Sequence, residues 1–264
     1  MATIVLLHAH PDDESIATGG TIARAVDEGH RVVLVVGTNG DHGETPEDLA
    51  PGETLVDRRC AETEKSCKVL GIHRLVWLGY SDSGMTGWEQ NSHSNAFMNA
   101  DLDEAADRLV AVLDEENADV LVGYDWHGGY GHPDHIMVHK VVHRAAQKRP
   151  DVVLYESTMN RDRVRERMQS AFDAGLIKEE DKWDVDGPAD DGNPFGSLES
   201  EISLMVDVRR WAMKKRESVK CHASQVTDSG FFMSMGEEQF VEAFGWEWFI
   251  RPGDGSPMKE GFIV

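Results

Sequence analysis

The sequence predicts an α/β protein with a Rossmann-like, doubly wound and mostly parallel sheet that carries helices on both faces. Short apolar runs rich in β-branched residues, typical of buried strands, alternate along the chain with segments whose apolar residues recur at helical spacing. This alternation indicates right-handed βαβ crossovers and hence a parallel sheet. The predicted strands are 3–7, 31–36, 73–78, 119–124 and 152–156.

The predicted helices lie between those strands. Segment 101–116 is the most regular, with Leu102, Leu109 and Leu113 at helical spacing. Stretches rich in Gly, Asn, Asp and Pro, such as 37–52, predict loops. The other predicted helices are 15–29, 53–70 and a helix that begins near His132 or Pro133 and runs to about Lys148.

We expect one domain over residues 1–264, with a core at about 1–156 and a C-terminal α+β extension at about 157–264. The elements expected in the extension are helices over 161–174, 206–221 and 236–244 and a short edge strand at 247–250. Segment 179–196 is acidic and contains Gly and Pro, which predicts a flexible excursion, and the tail from Pro252 is expected to be irregular.

The composition argues against several classes of partner. The chain carries 48 acidic and 26 basic residues, a net charge of −22, which repels phosphate backbones and anionic lipids. We therefore expect neither nucleic acid nor membrane as a partner. No apolar run approaches the ~20 residues that a membrane span needs, and Met1 leads into the first strand without a secretory signal. A cytoplasmic location follows as an expectation, and the three cysteines are too few for a disulfide framework.

Residues 9–14, AHPDDE, connect the first predicted strand to the first predicted helix. The carboxyl edge of an open parallel sheet is where such folds bind ligands. His10 and Asp13 can both face one ion, and zinc fits this nitrogen and oxygen ligand set best. Asp12 remains free as a general base. The competing interpretation is a helix N-terminus that carries acids because the helix dipole favours them.

Residues 130–135, YGHPDH, follow the fourth predicted strand at the same edge of the sheet. His10, Asp13 and His135 would form a set of two imidazoles and one carboxylate. Such a set leaves a fourth position for water, which is the open arrangement of a hydrolytic zinc site. Zinc there would lower the pKa of its water towards ~7. The sequence predicts one zinc ion per chain, with Fe²⁺ as the alternative metal.

The second motif also offers an acid. A protonated His132 would stabilise the oxyanion and protonate the leaving nitrogen, and Asp134 would orient its ring and favour its cationic form. Taken alone, His132 and His135 could instead be a helix-capping pair. Two such clusters on equivalent edges of one sheet favour the metal site over both competing interpretations.

These residues resemble the two signature motifs of the LmbE/PIG-L family of zinc-dependent de-N-acetylases. The resemblance covers about residues 3–156 and includes 39–44 (NGDHGE), 59–62 (RCAE), 82–85 (DSGM) and 128–135, with a weaker echo at 222–225 (HASQ). Within the family the sequence looks closest to the mycothiol branch, which contains the deacetylase of the glucosaminyl-inositol precursor and the mycothiol conjugate amidase. The resemblance implies a Rossmann-like fold and hydrolysis of an N-acyl amino sugar to a free amine and acetate.

The resemblance also implies roles for single residues. It gives the metal ligands as His10, Asp13 and His135, the base as Asp12 and the oxyanion partner as His132. Tyr130 matches a mobile tyrosine that assists the tetrahedral intermediate. Arg59, Asp82 and Met85 match positions that contact the sugar and the inositol.

Some of these positions have simpler interpretations. Arg59 could equally be a helix-surface cation, Asp82 could form an Asx-turn, and His222 could pair with a helix C-terminus. The sequence departs from the family pattern at Trp126-His127, where the mycothiol enzymes have a Pro-Asn pair, and in a shorter first loop. Both departures concern the far half of the substrate rather than the chemistry.

The leading hypothesis is therefore a metal-dependent hydrolase that removes an N-acetyl group from a small molecule containing N-acetylglucosamine. The first alternative is an amidase of the mycothiol-conjugate type that cleaves a larger amide. A metal phosphoesterase is disfavoured because few basic residues surround the motifs, and a nucleotide-binding module because the first β-α turn lacks Gly-x-Gly-x-x-Gly. A homo-oligomer stays open as a further partner.

Overall fold

The computed structural model describes residues 1–175, 178, 184–225 and 230–264. Its strands are β1 (Thr3–His8), β2 (Arg31–Thr38), β3 (Arg74–Tyr80), β4 (Val120–Tyr124), β5 (Val153–Thr158), β6 (Leu204–Asp207), β7 (Trp246–Ile250) and β8 (Lys259–Gly261). Within these residues they form an eight-stranded sheet in the order β3-β2-β1-β4-β5-β7-β6-β8. The first five strands are parallel to one another, and β7 is antiparallel to both β5 and β6.

Helices cover both faces of the sheet, as the doubly wound prediction requires. The helices are α1 (Asp13–Asp27), α2 (Leu55–Leu70), α3 (Leu102–Glu116), α4 (Pro133–Lys148), α5 (Arg161–Asp173), α6 (Ala212–Cys221), α7 (Gly230–Ser234) and α8 (Glu237–Phe244). Side chains alternate along β1: Ile4 and Leu6 pack in the cluster with Ile22 of α1, whereas Leu7 packs on the opposite face with Leu109 of α3. The predicted Rossmann-like α/β fold is confirmed.

Local sequence explains where the central helices begin and end. Helix α2 begins after Thr54, whose hydroxyl accepts the backbone N–H of Asp57 in a capping box, and it ends at Gly71 with φ 84°. Helix α4 has His132 as its N-cap and Pro133 as its first residue. Proline is favourable there because its missing N–H would have no partner in the first turn.

The C-terminal part differs most from the sequence prediction. The predicted helix over 206–221 is wrong at its start, because Leu204–Asp207 forms β6 and the helix begins only at Ala212. The predicted edge strand at 247–250 is an interior strand, since β7 lies between β5 and β6. The tail is not wholly irregular either, because β8 pairs with β6. All three differences arise from pairing between distant segments, which local periodicity does not report.

Segment 184–196 is not a detached excursion. The backbone N–H of Asp190 donates to the carbonyl of Tyr130 at 3.0 Å, and that of Gly196 donates to the carbonyl of Gly129 at 2.7 Å. These bonds join it to the loop after β4. The remainder of the predicted excursion, 179–183, lies outside the described residues.

The strand order creates a crevice at the carboxyl ends of β1 and β4. The chain leaves β1 towards β2 and β3 on one side, and the next parallel strands, β4 and β5, lie on the other side. Ligand sites of open α/β sheets lie at such switch points. In the part of the chain that the structure describes, no helix combines the length and the apolar character that crossing a bilayer requires.

Candidate metal centre

The turn after β1 separates two neighbouring carboxylates. Asp12 has φ 109°, a value that is rare outside glycine and costs on the order of 1–3 kcal/mol. The turn is fixed by the Asp12 carbonyl, which accepts the backbone N–H groups of Ser15 and Ile16. Asp13, the first residue of α1, accepts the backbone N–H of His10 at 2.8 Å. Asp12 and Asp13 therefore face different partners although they are adjacent in sequence.

Asp125 stabilises the loop between β4 and α4. Its carboxylate is buried and accepts the backbone N–H of Gly129 at 2.7 Å. Gly128 has φ 65°, and a Cβ at this position would collide with His135. Glycine is required here because both the backbone angle and the close approach exclude a side chain. The loop thus brings His135 to the carboxyl end of β1.

Two of the predicted site residues, His10 and His135, approach one carboxylate oxygen of a third, Asp13. Asp13 Oδ2 lies 3.4 Å from His10 Nδ1 and 3.3 Å from His135 Nε2. The other ring nitrogen of each histidine already has an acceptor: His10 Nε2 lies 3.1 Å from Asp134 Oδ2, and His135 Nδ1 lies 3.1 Å from the Gly128 carbonyl. With the ring proton on the side of each of these acceptors, the nitrogen that faces Asp13 would have its lone pair available for a metal ion.

These distances suit a tetrahedral divalent metal. Zinc binds nitrogen and oxygen at about 2.0–2.2 Å, which places adjacent ligand atoms of a tetrahedron roughly 3.3–3.5 Å apart. The two separations from Asp13 Oδ2, 3.4 and 3.3 Å, agree with this value, whereas the groups of described residues whose donor atoms all lie within 4.8 Å of one another do not include Asp13. His10, Asp13 and His135 thus supply the donor types of an open zinc site, two nitrogens and one oxygen.

Other donors lie close enough to compete for the same ion. One ring nitrogen from each of His10, His132 and His135 lies within 4.8 Å of the others, and a second group of this kind joins His10 and His132 to Asp82 and Asp134. All five side chains are buried. The crevice is thus a cluster of potential ligands rather than a single triad.

Asp134 does not act on His132 in the way the sequence predicts. Its carboxylate contacts His10 and accepts the Ser83 backbone N–H at 2.8 Å and the Ser83 hydroxyl. His132 instead receives the backbone N–H of Asp134 at its Nδ1, at 3.1 Å. Burial, followed by the nearby His10 and His135, lowers the pKa of His132 to about 2. The predicted cationic His132 held by the Asp134 carboxylate is therefore corrected to a neutral ring whose proton lies on Nε2.

Asp12 pairs with Arg59 on the other side of the turn. Arg59 is buried, so the surface alternative is wrong, and its guanidinium donates to the Pro11 carbonyl at 2.6 Å, the Gly40 carbonyl at 2.8 Å and Asp12 Oδ2 at 3.3 Å. Burial raises the pKa of Asp12 to about 6, although the charge of Arg59 opposes this shift. A carboxylate with this pKa is tuned to exchange protons near neutrality.

The remaining predicted residues surround the cluster. The Tyr130 hydroxyl lies 3.4 Å from His135 Nε2. Asp82 is buried, accepts the backbone N–H of Gly84 at 2.8 Å and has its Oδ1 3.6 Å from His10 Nε2. It thus forms the Asx-turn and also lies beside the metal centre. Met85 is half-buried further along the same loop.

A buried ion pair that the sequence did not predict lies behind the crevice. His222 Nε2 lies 2.7 Å from Glu14 Oε1, and both residues are fully buried. Ser66 donates to the same oxygen, and Glu14 Oε2 accepts the backbone N–H of Asp12 at 3.1 Å. This network joins the extension to the turn after β1. The HASQ echo at 222–225 was its only sequence signal, because the paired residues are far apart in the chain.

Known proteins resemble this chain in sequence and in fold. The family described as "PIG-L: GlcNAc-PI de-N-acetylase" matches residues 5–146. The chain belongs to the PIG-L family. This match spans both motifs of the metal centre. The predicted family and the predicted reaction class, a de-N-acetylase that hydrolyses amides, are confirmed.

PIG-L relatives match almost the whole chain. The 1D-myo-inositol 2-acetamido-2-deoxy-alpha-D-glucopyranoside deacetylase of Acidothermus cellulolyticus is 38% identical, over 98% of this chain and 92% of the relative. The protein of the same name from Nocardioides sp. is 36% identical, over 97% of this chain and 94% of the relative. The predicted resemblance to this branch is thereby confirmed.

Solved structures agree on the fold. The N,N'-diacetylchitobiose deacetylase of Pyrococcus horikoshii superimposes with a TM-score of 0.58 at 22% identity, covering 95% of this chain and 82% of that one. At this identity the likeness concerns the fold alone. It includes the C-terminal extension, since nearly the whole chain is covered.

Proposed function

We propose that this PIG-L protein is a zinc-dependent deacetylase of an N-acetylglucosaminyl-inositol, or of a small molecule with the same amino sugar. The observation that carries the proposal is the arrangement of His10 and His135, each with one ring nitrogen on a protein acceptor and the other facing Asp13. The names of the PIG-L relatives support the substrate class. We further propose that residues 1–264 act as one catalytic unit, because the extension contributes strands to the same sheet.

In this proposal His10, Asp13 and His135 hold the metal. When bound, zinc would lower the pKa of a water molecule and polarise the amide carbonyl. Fe²⁺ suits the same ligands and stays an alternative. Asp134 is a positioning residue, since it accepts from His10 and so fixes which ring nitrogen faces the ion.

Asp12 is the proposed general base. Its pKa of about 6 leaves it ionised at neutral pH yet basic enough to accept a proton from water. Arg59 orients this carboxylate and is itself fixed by two backbone carbonyls. Because these bonds engage both terminal nitrogens of the guanidinium, we propose that Arg59 acts through Asp12 as well as at the edge of the sugar site.

His132 and Tyr130 are proposed to act on the carbonyl side of the amide. A neutral His132 with its proton on Nε2 is a hydrogen-bond donor for the developing oxyanion. The Tyr130 hydroxyl lies beside His135 and would be a second donor. Asp82 and Met85, in the loop after β3, are proposed to contact the sugar and its substituent.

The test is an activity and metal assay on Asp12→Asn. We expect the release of acetate from N-acetylglucosaminyl-inositol, measured by mass spectrometry, to fall by about 10²–10⁴-fold because the base is lost. Zinc content, measured by elemental analysis, should stay at one per chain because Asp12 is not a ligand. Asp48→Asn is the matched control, since the side chain of Asp48 is 79% exposed. Unchanged turnover, or loss of zinc from the variant, would contradict the assignment.

A further inference from the structure

A side cavity of about 220 Å³ adjoins the metal centre. Its near wall contains Asp13, Tyr130 and His135 of that centre. Its far wall is built by side chains from the C-terminal extension, namely Met159, Val164, Phe244, Trp246 and Trp248. A group that reacts at the metal centre therefore has direct access to an apolar space.

The charged side chains that line the side cavity already have partners. Lys215 Nζ donates to Glu247 at 2.7 Å, and the side chains of this pair are 4% and 3% exposed. Arg167 donates to a backbone carbonyl of α8 at 2.7 Å, and Arg163 pairs with Glu166 at 3.1 Å. The cavity therefore offers an apolar environment rather than an ionic one.

Polar loops occupy the opposite side of the metal centre. Asp41 follows β2 and Asp82 follows β3, and a hydrogen bond of 2.9 Å joins the two. The side cavity lies towards β5 and β7. The turns that carry the proposed metal ligands follow β1 and β4, which lie between β5 and the strands β2 and β3 that precede the polar loops. A trans amide directs its two substituents to opposite sides. An amino sugar on the side of Asp82 thus places the acyl group in the side cavity.

We propose that the side cavity is the acyl subsite and that it favours N-acyl groups of about four to six carbons over acetyl. An apolar cavity of about 150 Å³ already holds benzene, a molecule of six carbons. The side cavity, at about 220 Å³, therefore has room for a chain of this size. The inference rests on the proposed function and specifies its substrate. The chemistry is the same for every chain length: the oxygen of water bonds to the acyl carbon, the C–N bond breaks, and the products are a carboxylate and an ammonium group.

The first experiment compares N-acetyl-, N-butyryl- and N-hexanoyl-glucosaminyl-inositol with the zinc-loaded enzyme. Burial of one CH₂ group corresponds to about a fourfold gain in kcat/KM. The N-butyryl substrate has two more CH₂ groups than the N-acetyl substrate, so we expect its kcat/KM to be about 15-fold higher by this rule. Constant or falling kcat/KM with chain length would overturn the acyl subsite, while acetate release would leave the proposed function standing. Absence of turnover with every N-acyl substrate would overturn both.

The second experiment fills the far end of the side cavity with Val164→Phe, which lies on α5 away from the metal ligands. We expect the ratio of kcat/KM for the N-butyryl substrate to kcat/KM for the N-acetyl substrate to fall to about one. Val69→Phe is the matched control because Val69 is also half-buried but lies on α2. A zinc content of one per chain shows that the variant folds. An equal change for both acyl lengths, or a preference that survives, would contradict the proposal.

Discussion

Replacement of Asp134 by Asn tests how the protein prepares its metal ligands. The Asp134 carboxylate accepts from His10 Nε2 at 3.1 Å and from the Ser83 backbone N–H at 2.8 Å. Asparagine keeps the size and one acceptor oxygen, so the bond from Ser83 can persist. In the wild type, the negative charge of Asp134 favours the ring proton on His10 Nε2, so that Nδ1 is available for the ion. The substitution removes this charge.

We expect the dissociation constant of zinc to rise by about 10–100-fold, which is the usual effect of losing such a partner. This range corresponds to about 1.4–2.7 kcal/mol of binding free energy. The measurement is a competition titration against a chelator of known affinity at constant pH. Asp48→Asn is the comparison variant, because the side chain of Asp48 is 79% exposed. Its effect on the zinc dissociation constant should stay within about threefold, below the range expected for Asp134.

Two results would refute this reasoning. Zinc affinity of Asp134→Asn within about threefold of wild type would mean that the carboxylate does not prepare His10. A loss far above about 100-fold would mean that Asp134 binds the ion directly, as a member of the second donor group. The first outcome would remove the positioning role of Asp134, and the second would replace the ligand set of His10, Asp13 and His135.

Two further predictions concern stability. Hydrogen bonds from Arg31 and then Arg74 lower the pKa of Glu116 from 4.5 to about 2, so this pairing stabilises the fold above pH 4.5 and is lost as the pH falls towards 2. In urea unfolding at pH 7, Glu116→Gln should be about 1 kcal/mol less stable than wild type, and this difference should disappear near pH 2. The loss of stability should be smaller for Glu115→Gln, because Glu115 is more exposed. A difference that does not change with pH would contradict the pairing. Glu14→Ala should lower the free energy of unfolding by about 3–5 kcal/mol, because it leaves His222 buried without its partner. A double-mutant cycle with His222→Ala checks this pair, and additive effects of the two substitutions would contradict a coupling between Glu14 and His222.

Local sequence determined the central fold and predicted which turns carry the candidate site. β-branched runs and helical spacing are short-range signals, and they predicted β1 to β5 and α1 to α4 to within a few residues. Because the carboxyl ends of parallel strands share one edge, the two His- and Asp-containing turns could be expected to meet there. His10, Asp13 and His135 do converge in the structure.

Tertiary structure alone decided which partner each buried polar group received. Asp134 adjoins His132 in sequence yet its carboxylate faces His10, because helix α4 directs that side chain towards the turn after β1. The Glu14–His222 pair, the insertion of β7 between β5 and β6, and the side cavity all depend on contacts between segments far apart in the chain. Periodicity reports which face of an element is buried, but what covers that face is set by long-range packing.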